Sequence, residues 1–182
     1  MLAIRYALWP QDVLALSALD TSFVTDKMYC LAQDSLSFRL VEKAITPPLH
    51  KRYAFDPSDP AERADWDHAV VAEDEGRLVG FAAVQHTAWN RRVVVWHLYV
   101  APNDRGRGVG TRLLASVEAF ARETGARCLW LETQNVNLPA VRFYLRSGFT
   151  LCGLDTSLYD PNSPAYGEVA LFLERPVLPS GA

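Results

Sequence analysis

The sequence contains no long apolar run. No stretch reaches the roughly 20 consecutive apolar residues that a membrane-spanning helix requires. Residues 1–11 also lack the basic region and apolar core of a signal peptide. We therefore expect a protein of the cytoplasm with no membrane partner.

Positive charge is also scarce. The 182 residues include 18 Lys and Arg against 21 Asp and Glu, a formal net charge of -3. Such a chain has no general attraction for a phosphate backbone, so we expect no nucleic-acid partner, and any basic site must be local.

Cysteine is the third scarcity. The three cysteines are odd in number and have no C-x-x-C spacing, which argues against a disulfide framework or a metal site. Their apolar neighbours predict that Cys30, Cys128 and Cys152 are all buried for packing. With 49% hydrophobic residues, the chain has the composition of one globular domain.

The first third of the chain gives weak secondary-structure signals. Residues 3–8 predict a short strand, and Pro10 with the apolar residues after it predicts a helix that ends near Asp20. Alternation over residues 36–42 predicts a half-exposed strand. The proline pairs of residues 44–67 predict a loop-rich segment that cannot sustain a strand ladder.

The rest of the chain alternates strands and helices. Residues 69–72 and 78–85 predict a hairpin, and a turn at residues 89–92 leads into Val93–Val100. The apolar character of Val93–Val100 predicts a central strand covered on both faces. A helix over 110–123, a strand over 127–133, a helix over 138–146 and strands over 149–154 and 169–173 follow. This order predicts a mixed α/β fold with helices packed on one sheet.

One glycine-rich segment follows the central strand and opens the next helix. It reads Arg105-Gly106-Arg107-Gly108-Val109-Gly110. Glycines at this place let backbone N–H groups and the positive end of the helix dipole face an anion, and the two arginines can add charge at its rim. Residue identity excludes a Walker loop, because Thr111 stands where lysine is required, and excludes a dinucleotide fingerprint, because Leu113 stands where glycine is required. A purely structural strand-to-helix turn stays open as the alternative.

A second motif lies downstream, with Asn137, Ala140, Phe143, Tyr144 and Gly148 in the segment NLPAVRFYLRSG. Together with the R-x-x-G-x-G at Arg105, it resembles the GNAT superfamily of acyl-coenzyme A N-acyltransferases. The resemblance implies one domain over residues 1–182, with a substrate-side part at 1–67 and an acetyl-coenzyme A core at 68–174. It also implies a mostly antiparallel sheet of six to seven strands, with helices on both faces and splayed fourth and fifth strands.

The resemblance further assigns residues to acetyl-coenzyme A, the co-substrate. The strand edge pairs with the pantetheine, the loop amides bind the diphosphate, and Asn137 holds the pantetheine from the other side. The residues implied for the co-substrate are Leu98, Tyr99, Val100, Arg105, Gly106, Arg107, Gly108, Val109, Gly110, Thr111, Asn137, Ala140 and Phe143. No metal is implied.

Three residues are candidates for the chemistry. The resemblance places Tyr144 near the sulfur, where its hydroxyl can protonate the departing thiolate. The alternative for Tyr144 is a core aromatic of its helix. An acceptor ammonium must lose a proton before it attacks, and His97 or Glu132 could remove it. The alternative for His97 is a hydrogen-bonded core residue.

A narrower resemblance rests on five segments: SFVTD at Ser22, PPL at Pro47, WNRR at Trp89, LWLE at Leu129 and FTLCGLDTSLYD at Phe149. They are similar to streptothricin (nourseothricin) acetyltransferases, which implies a small, polycationic amine as acceptor. Carboxylates and aromatic faces suit such a cation. The candidate acceptor residues are Phe23, Asp26, Glu42, Trp89, Asn90, Asp155, Tyr159 and Asp160.

Several alternatives remain at this point. Asp26, Asp155 and Asp160 could be ordinary turn residues, and Trp89 could be an aromatic plug of a hairpin turn. That family carries a V-E-D-I-E-V pattern where residues 95–100 read VWHLYV, so another amine could be the acceptor, or His97 could replace the missing carboxylates. A non-catalytic acyl-coenzyme A-binding module is a further alternative. The assembly could be a monomer or a homodimer.

Overall fold

The structure, a computed structural model, describes residues 1–163, 165 and 167–177. Its elements in chain order are β1 Ala3–Tyr6, α1 Val13–Ser17, β2 Ser22–Asp34, β3 Ser37–Arg52, α2 Pro60–Arg63, β4 His68–Asp74, β5 Arg77–Thr87, β6 Arg92–Val100, α3 Val109–Glu123, β7 Cys128–Gln134, α4 Leu138–Arg146, β8 Thr150–Asp155 and β9 Ala170–Pro176. A short 3₁₀ helix, Pro102–Asp104, precedes α3.

Seven strands form one sheet in the order β1-β4-β5-β6-β7-β9-β8, and β2 with β3 forms a separate two-stranded sheet. The pairs β1–β4, β4–β5, β5–β6 and β8–β9 are antiparallel. The expected fold class, a mixed sheet with packed helices, is confirmed. The splay of the fourth and fifth strands of the sheet stays a prediction.

The chain divides into two compact units, neither of which is continuous in sequence. Of the described residues, unit 1 comprises 1–22, 52–130 and 176–177, and unit 2 comprises those within 23–51 and 131–175. The single domain with a division at residue 67 stays a prediction.

In unit 1, α1 and α3 cover opposite faces of the strands. Leu16 of α1 packs with Phe81 and Ala83 of β5. On the other face, a Cβ added to Gly80 would lie 3.0 Å from the Leu113 side chain of α3. Because successive strand residues point to opposite faces, β5 serves both layers, and glycine at position 80 allows α3 to approach closely.

In unit 2, a buried asparagine ties three segments together. Asn135, which is 3% exposed, follows β7 directly. Its backbone C=O accepts from the Tyr29 N–H of β2 at 3.0 Å, and its side-chain amide donates to the Tyr29 C=O at 2.8 Å. Its Oδ1 accepts from the Val169 N–H at 2.8 Å. These bonds satisfy the buried amide and fix the segment before β9 against the end of β7.

Most predicted elements agree with the structure, but the secondary structure predicted for the first third of the chain was partly wrong. The prolines of residues 44–52 do not end the strand: β3 continues through Pro47 and Pro48 to Arg52, and its partner β2 was not foreseen. A two-stranded sheet has only edge strands, where a missing N–H can face away from the partner. The first helix begins at Val13, so Pro10 precedes the helix and does not lie in its first turn.

Two burial predictions were wrong. Cys128 is buried and Cys30 partly buried, but Cys152 is exposed. Cys152 lies at an irregularity of the β8–β9 ladder between Leu151 and Gly153. The central strand β6 is not covered on both faces along its whole length, because the Trp96 side chain is 49% exposed.

Candidate active site

The glycine-rich segment forms an open cradle of amides at the start of α3. Gly106 and Gly108 have φ values of +75° and +82°, and no atom lies within 4 Å of a Cβ added to either. The first helical bond of α3 runs from the Arg112 N–H to the Gly108 C=O at 3.0 Å. The earlier amides therefore have no helix carbonyl as partner, and Gly108 has no side chain to cap them. The arrangement suits an anion such as a diphosphate.

A buried carboxylate braces this cradle. Asp104 is 1% exposed and accepts from Arg77 Nη1 at 3.0 Å, Arg77 Nη2 at 3.1 Å and Arg107 Nη1 at 2.7 Å. The Arg77 guanidinium, followed by the charge of Arg107, holds the pKa of Asp104 below its usual range. Asp104 thus stays ionised and fixes the turn before α3.

The two arginines of the motif are engaged by the protein itself. Arg107 also donates to Asp74 at 2.9 Å. Arg105 donates to the backbone C=O groups of Val100 at 3.0 Å and Ser22 at 2.6 Å. Part of their charge is therefore neutralised by protein groups, and the backbone amides and the helix dipole are the groups that remain suited to an anion.

His97 lies on β6 next to a bulge. In the β5–β6 ladder Val84 pairs with Val95 and Ala83 pairs with His97, so Trp96 is the extra residue. A bulge of this kind redirects the strand locally.

The His97 ring packs against Phe55, Trp66, Phe81 and Tyr99, with centroids 5.2 to 6.2 Å away. Its Nδ1 lies 3.2 Å from the Tyr99 hydroxyl and its Nε2 lies 3.4 Å from a carboxylate oxygen of Glu62.

Burial in this aromatic cluster lowers the pKa of His97 to about 4. The ring is therefore neutral at pH 7, and the 3.4 Å contact with Glu62 is not an ion pair. The low pKa makes His97 a weaker proton acceptor at pH 7 than an ordinary histidine. A cavity of about 300 Å³ opens beside Tyr53 and Phe55 in the same unit.

Glu132 and Tyr159 meet in unit 2. The Tyr159 hydroxyl donates to Glu132 Oε1. Glu132 keeps an exposed face, yet the surrounding protein removes part of its water and raises the pKa of its carboxyl, an effect that the Tyr159 hydrogen bond opposes. Burial and the neighbouring carboxylate also raise the pKa of Tyr159, so that its hydroxyl stays protonated and donates. A carboxyl with a raised pKa is better suited to accept a proton near neutral pH than an ordinary one.

Helix α4 positions Asn137 and Tyr144. Asn137 is its N-cap, and its side chain accepts from the Ala140 N–H at 3.2 Å. The pyrrolidine of Pro139 occupies the first turn, where no N–H is needed. Tyr144 is 7% exposed, and its ring contacts Phe143 and Phe149 edge to face at 5.3 and 5.4 Å. Packing therefore fixes the Tyr144 ring. A fixed ring is compatible both with a proton donor and with a core aromatic residue.

The predicted acceptor residues of unit 2 have varied surroundings. Glu42 pairs with Lys27 at 3.0 Å and with Arg142 at 2.7 Å. Asp155 and Asp160 each accept from the backbone two residues later, the pattern of an Asx turn. Asp26 is exposed, whereas Phe23 is buried and only 4% exposed.

In unit 1, Trp89 is 87% exposed, so it is not an aromatic plug. Asn90 Oδ1 accepts from the Thr87 hydroxyl at 2.6 Å within the same turn.

The structure adds four residues that the sequence did not single out. They are Lys51, Glu62, Asp104 and Glu168. Lys51 and Glu168 form an ion pair in unit 2 although they lie 117 positions apart. Glu62 belongs to the four-residue helix α2. Only Asp104, directly before the glycine motif, had a positional signal. The others depend on long-range packing.

None of the described helices has the length and apolar character needed to cross a membrane. Among the described residues, no group of three or more His, Cys, Asp and Glu side chains is arranged to hold a metal ion.

The known proteins that this chain resembles are acetyltransferases, which agrees with the site described above. The model of the acetyltransferase (GNAT) family matches residues 35–149. Streptothricin acetyltransferase of Streptomyces lavendulae is 41% identical over 173 residues, which cover 92% of this chain and 91% of that protein.

Two crystal structures extend this similarity. That of nourseothricin acetyltransferase has a TM-score of 0.87 at 43% identity and covers 97% of this chain and 99% of its own. A Bacillus anthracis protein in complex with acetyl coenzyme A has a TM-score of 0.78 at 24% identity, over 96% of each chain, and shows the same fold. This chain therefore belongs to the GNAT family of acetyltransferases, enzymes that depend on acetyl-coenzyme A.

Proposed function

We propose that the protein transfers the acetyl group of acetyl-coenzyme A to a primary amine of streptothricin, by direct attack in a ternary complex. The single observation that carries the donor half is the amide cradle before α3, whose two glycines have positive φ and open space at the position of a Cβ. The 41% identity with a streptothricin acetyltransferase over most of both chains supports the acceptor half.

For the co-substrate, we assign the diphosphate to the amides of residues 107–111. The pantetheine pairs with the backbone of Leu98, Tyr99 and Val100 in the manner of an added strand. Asn137, Ala140 and Phe143 contribute from α4. The cradle fits such a group because no protein atom fills the space next to Gly106 and Gly108.

For the chemistry, we assign Glu132 as the group that accepts the proton of the acceptor ammonium. The amine nitrogen then attacks the thioester carbonyl carbon, the C–S bond breaks, and the thiolate takes a proton from the Tyr144 hydroxyl. The nitrogen loses its second proton as the amide forms, and that proton restores the Tyr144 hydroxyl. His97 is the weaker candidate for the base, because its pKa of about 4 makes it a poor proton acceptor at pH 7. The aromatic cluster around it indicates a structural role.

For the acceptor, we assign a surface of carboxylates and aromatic rings. Tyr159 adjoins Glu132, and Asp26, Asp155 and Asp160 provide negative charge on unit 2. Glu42 is already paired with two cations, which makes it the weakest member of the set. Phe23, Trp89 and Asn90 complete the assignment.

Mass spectrometry of streptothricin incubated with the protein and acetyl-coenzyme A tests the proposal. We expect a mass gain of one acetyl group that depends on both protein and donor. If the mass of streptothricin does not change while a panel of other amines releases thiol from the donor, the acceptor assignment is wrong. Binding of acetyl-coenzyme A without thiol release from any amine would instead indicate a non-catalytic binding module.

A further inference from the structure

Unit 2 contains an ion pair that the proposed reaction does not use. Lys51 Nζ lies 2.6 Å from each carboxylate oxygen of Glu168, and the two side chains are 17% and 13% exposed. Both oxygens are occupied by one ammonium group. Desolvation makes such a pair costly, and apolar residues can often replace one without loss of stability. Stability alone is therefore a weak reason for it.

The pair is fixed beside the candidate base. Glu168 precedes Val169, whose N–H and C=O are both bonded to Asn135. Asn135 follows Glu132 by three residues, at the end of β7. Glu132 accepts a hydrogen bond from Tyr159, which belongs to the same segment between β8 and β9 as Glu168. The backbone thus fixes Glu168, and with it Lys51, near enough for both charges to act on the Glu132 carboxylate.

Three neighbouring groups affect the ionisation of Glu132 besides burial. Burial, the largest effect, raises the pKa of Glu132; the Tyr159 hydroxyl and the Lys51 ammonium lower it, and the Glu168 carboxylate raises it. They come from two segments: β3 carries Lys51, and the segment between β8 and β9 carries Tyr159 and Glu168. Two carboxylates and one ammonium leave one negative charge.

We propose that Lys51 and Glu168 are positioning residues that control the charge and the accessibility of Glu132. The Lys51 ammonium keeps Glu132 ionised, and Glu168 holds Lys51 so that it does not pair with Glu132 and occupy the oxygen that the acceptor ammonium needs. This inference rests on the proposed role of Glu132 as the base.

The direct test is a carbon-13 NMR titration of glutamate carboxyl groups in the full chain, with the Glu132 resonance assigned by its loss in Glu132→Gln. In Glu168→Gln, the Lys51 charge acts on Glu132 without compensation, so we expect the Glu132 midpoint to fall by about one pH unit. In Lys51→Met the midpoint should rise. In the double variant, where both charges are absent, it should return close to that of the unchanged protein.

Glu168→Gln is the decisive variant, because glutamine cannot titrate. Lys51→Arg keeps the charge and should leave the midpoint unchanged, which separates the charge from the packing of the side chain. Arg122→Met, which removes a cation from the exposed face of α3, controls for net charge. Circular dichroism confirms that each variant is folded.

Kinetics supply the second readout. The acid limb of the kcat profile should move in the same direction as each NMR midpoint. Glu168→Gln should raise KM for the acceptor several-fold, because Lys51 then competes for Glu132, and should leave KM for acetyl-coenzyme A unchanged.

An unchanged Glu132 midpoint in Glu168→Gln overturns the inference. The titration needs no acceptor, so this result is distinct from a failure of the proposed function, which would appear as no acetylation of streptothricin by the unchanged protein.

Discussion

At the residue scale, the surroundings of His97 and Glu132, the two candidate bases, shift their pKa values in opposite directions. His97 is enclosed by aromatic rings and its pKa falls to about 4, whereas partial burial raises the pKa of Glu132. Burial acts on both, but it disfavours the charged form, which is the protonated form of histidine and the deprotonated form of glutamate. The same physical effect therefore weakens one base and strengthens the other.

Replacement of Tyr144 by phenylalanine tests the proposed acid. The ring packing against Phe143 and Phe149 survives, but the proton for the thiolate is lost. We expect turnover to fall by roughly tenfold to a hundredfold with little change in affinity for acetyl-coenzyme A. Thiol release measures the first quantity and calorimetry the second. Tyr6→Phe, at an exposed position of β1, is the matched control. Unchanged turnover would remove Tyr144 from the mechanism.

His97 makes stability depend on pH. Its pKa is lower in the folded protein, about 4, than the 6.5 of an unperturbed histidine, so only the unfolded chain takes up the proton between these values. Stability from this residue is full above about pH 6.5 and is lost as the pH falls towards 4, by roughly 3 kcal/mol in total.

Urea unfolding at pH 7.5 and pH 5 measures this effect. His97→Phe keeps a ring in the cluster but cannot titrate, so its loss of stability between the two pH values should be smaller by about 1 to 2 kcal/mol. An identical loss in both proteins would show that the His97 ring is not buried in its neutral form.

At the scale of elements, the start of α3 combines two requirements. Residues 105–110 must turn sharply after β6, and the amides of the first helical turn must remain open to an anion. Glycines with φ of +75° and +82° satisfy both requirements. Asp104, which accepts hydrogen bonds from Arg77 and Arg107, fixes the turn. The turn and the proposed binding of the diphosphate therefore depend on the same residues.

Gly108→Ala should separate binding from stability. An L-residue at φ +82° is strained by about 1 to 2 kcal/mol, and Gly108 is the N-cap of α3, so the strain acts on the turn that holds the first amides of the helix. We expect acetyl-coenzyme A to bind about tenfold more weakly or worse by calorimetry.

Gly125→Ala, at the other end of the same helix with φ +67°, imposes a similar strain and is the control. It should lose comparable thermal stability but keep its affinity. Equal affinities of the two variants would argue that the diphosphate does not contact this turn.

At the scale of the whole molecule, charge favours the proposed acceptor. The chain has a net charge of -3, and no bulk positive charge opposes a polycation. Long-range attraction between an acidic protein and a cationic ligand is screened by salt, whose Debye length is about 10 Å at 0.1 M. The acceptor half of the reaction should therefore be sensitive to ionic strength.

Salt should change KM for streptothricin much more than kcat. Between 50 mM and 500 mM sodium chloride we expect KM to rise by about tenfold, because encounter weakens while the short contacts at Glu132 persist. Initial rates of thiol release measure both constants. A KM that does not change with salt would contradict an acceptor site that recognises a polycation by its charge.

The sequence alone determined the elements that repeat a strong local pattern. Helix α4 has the predicted bounds, and α3 and the strands from β4 onward agree within a few residues, because apolar spacing, Gly125 and Gly148 act locally. The glycines of the motif also indicated a turn with positive φ, as found at Gly106 and Gly108, since only glycine adopts positive φ without strain.

Tertiary structure decided the rest. Proline content predicted a loop where β3 continues, because the partner strand β2 is a long-range feature that local propensity does not encode. Likewise, no local pattern connects Lys51 with Glu168 or His97 with Glu62. The residue types that carry the chemistry are readable from the sequence, but their burial and charged neighbours, and hence their pKa values, exist only once distant segments are packed together.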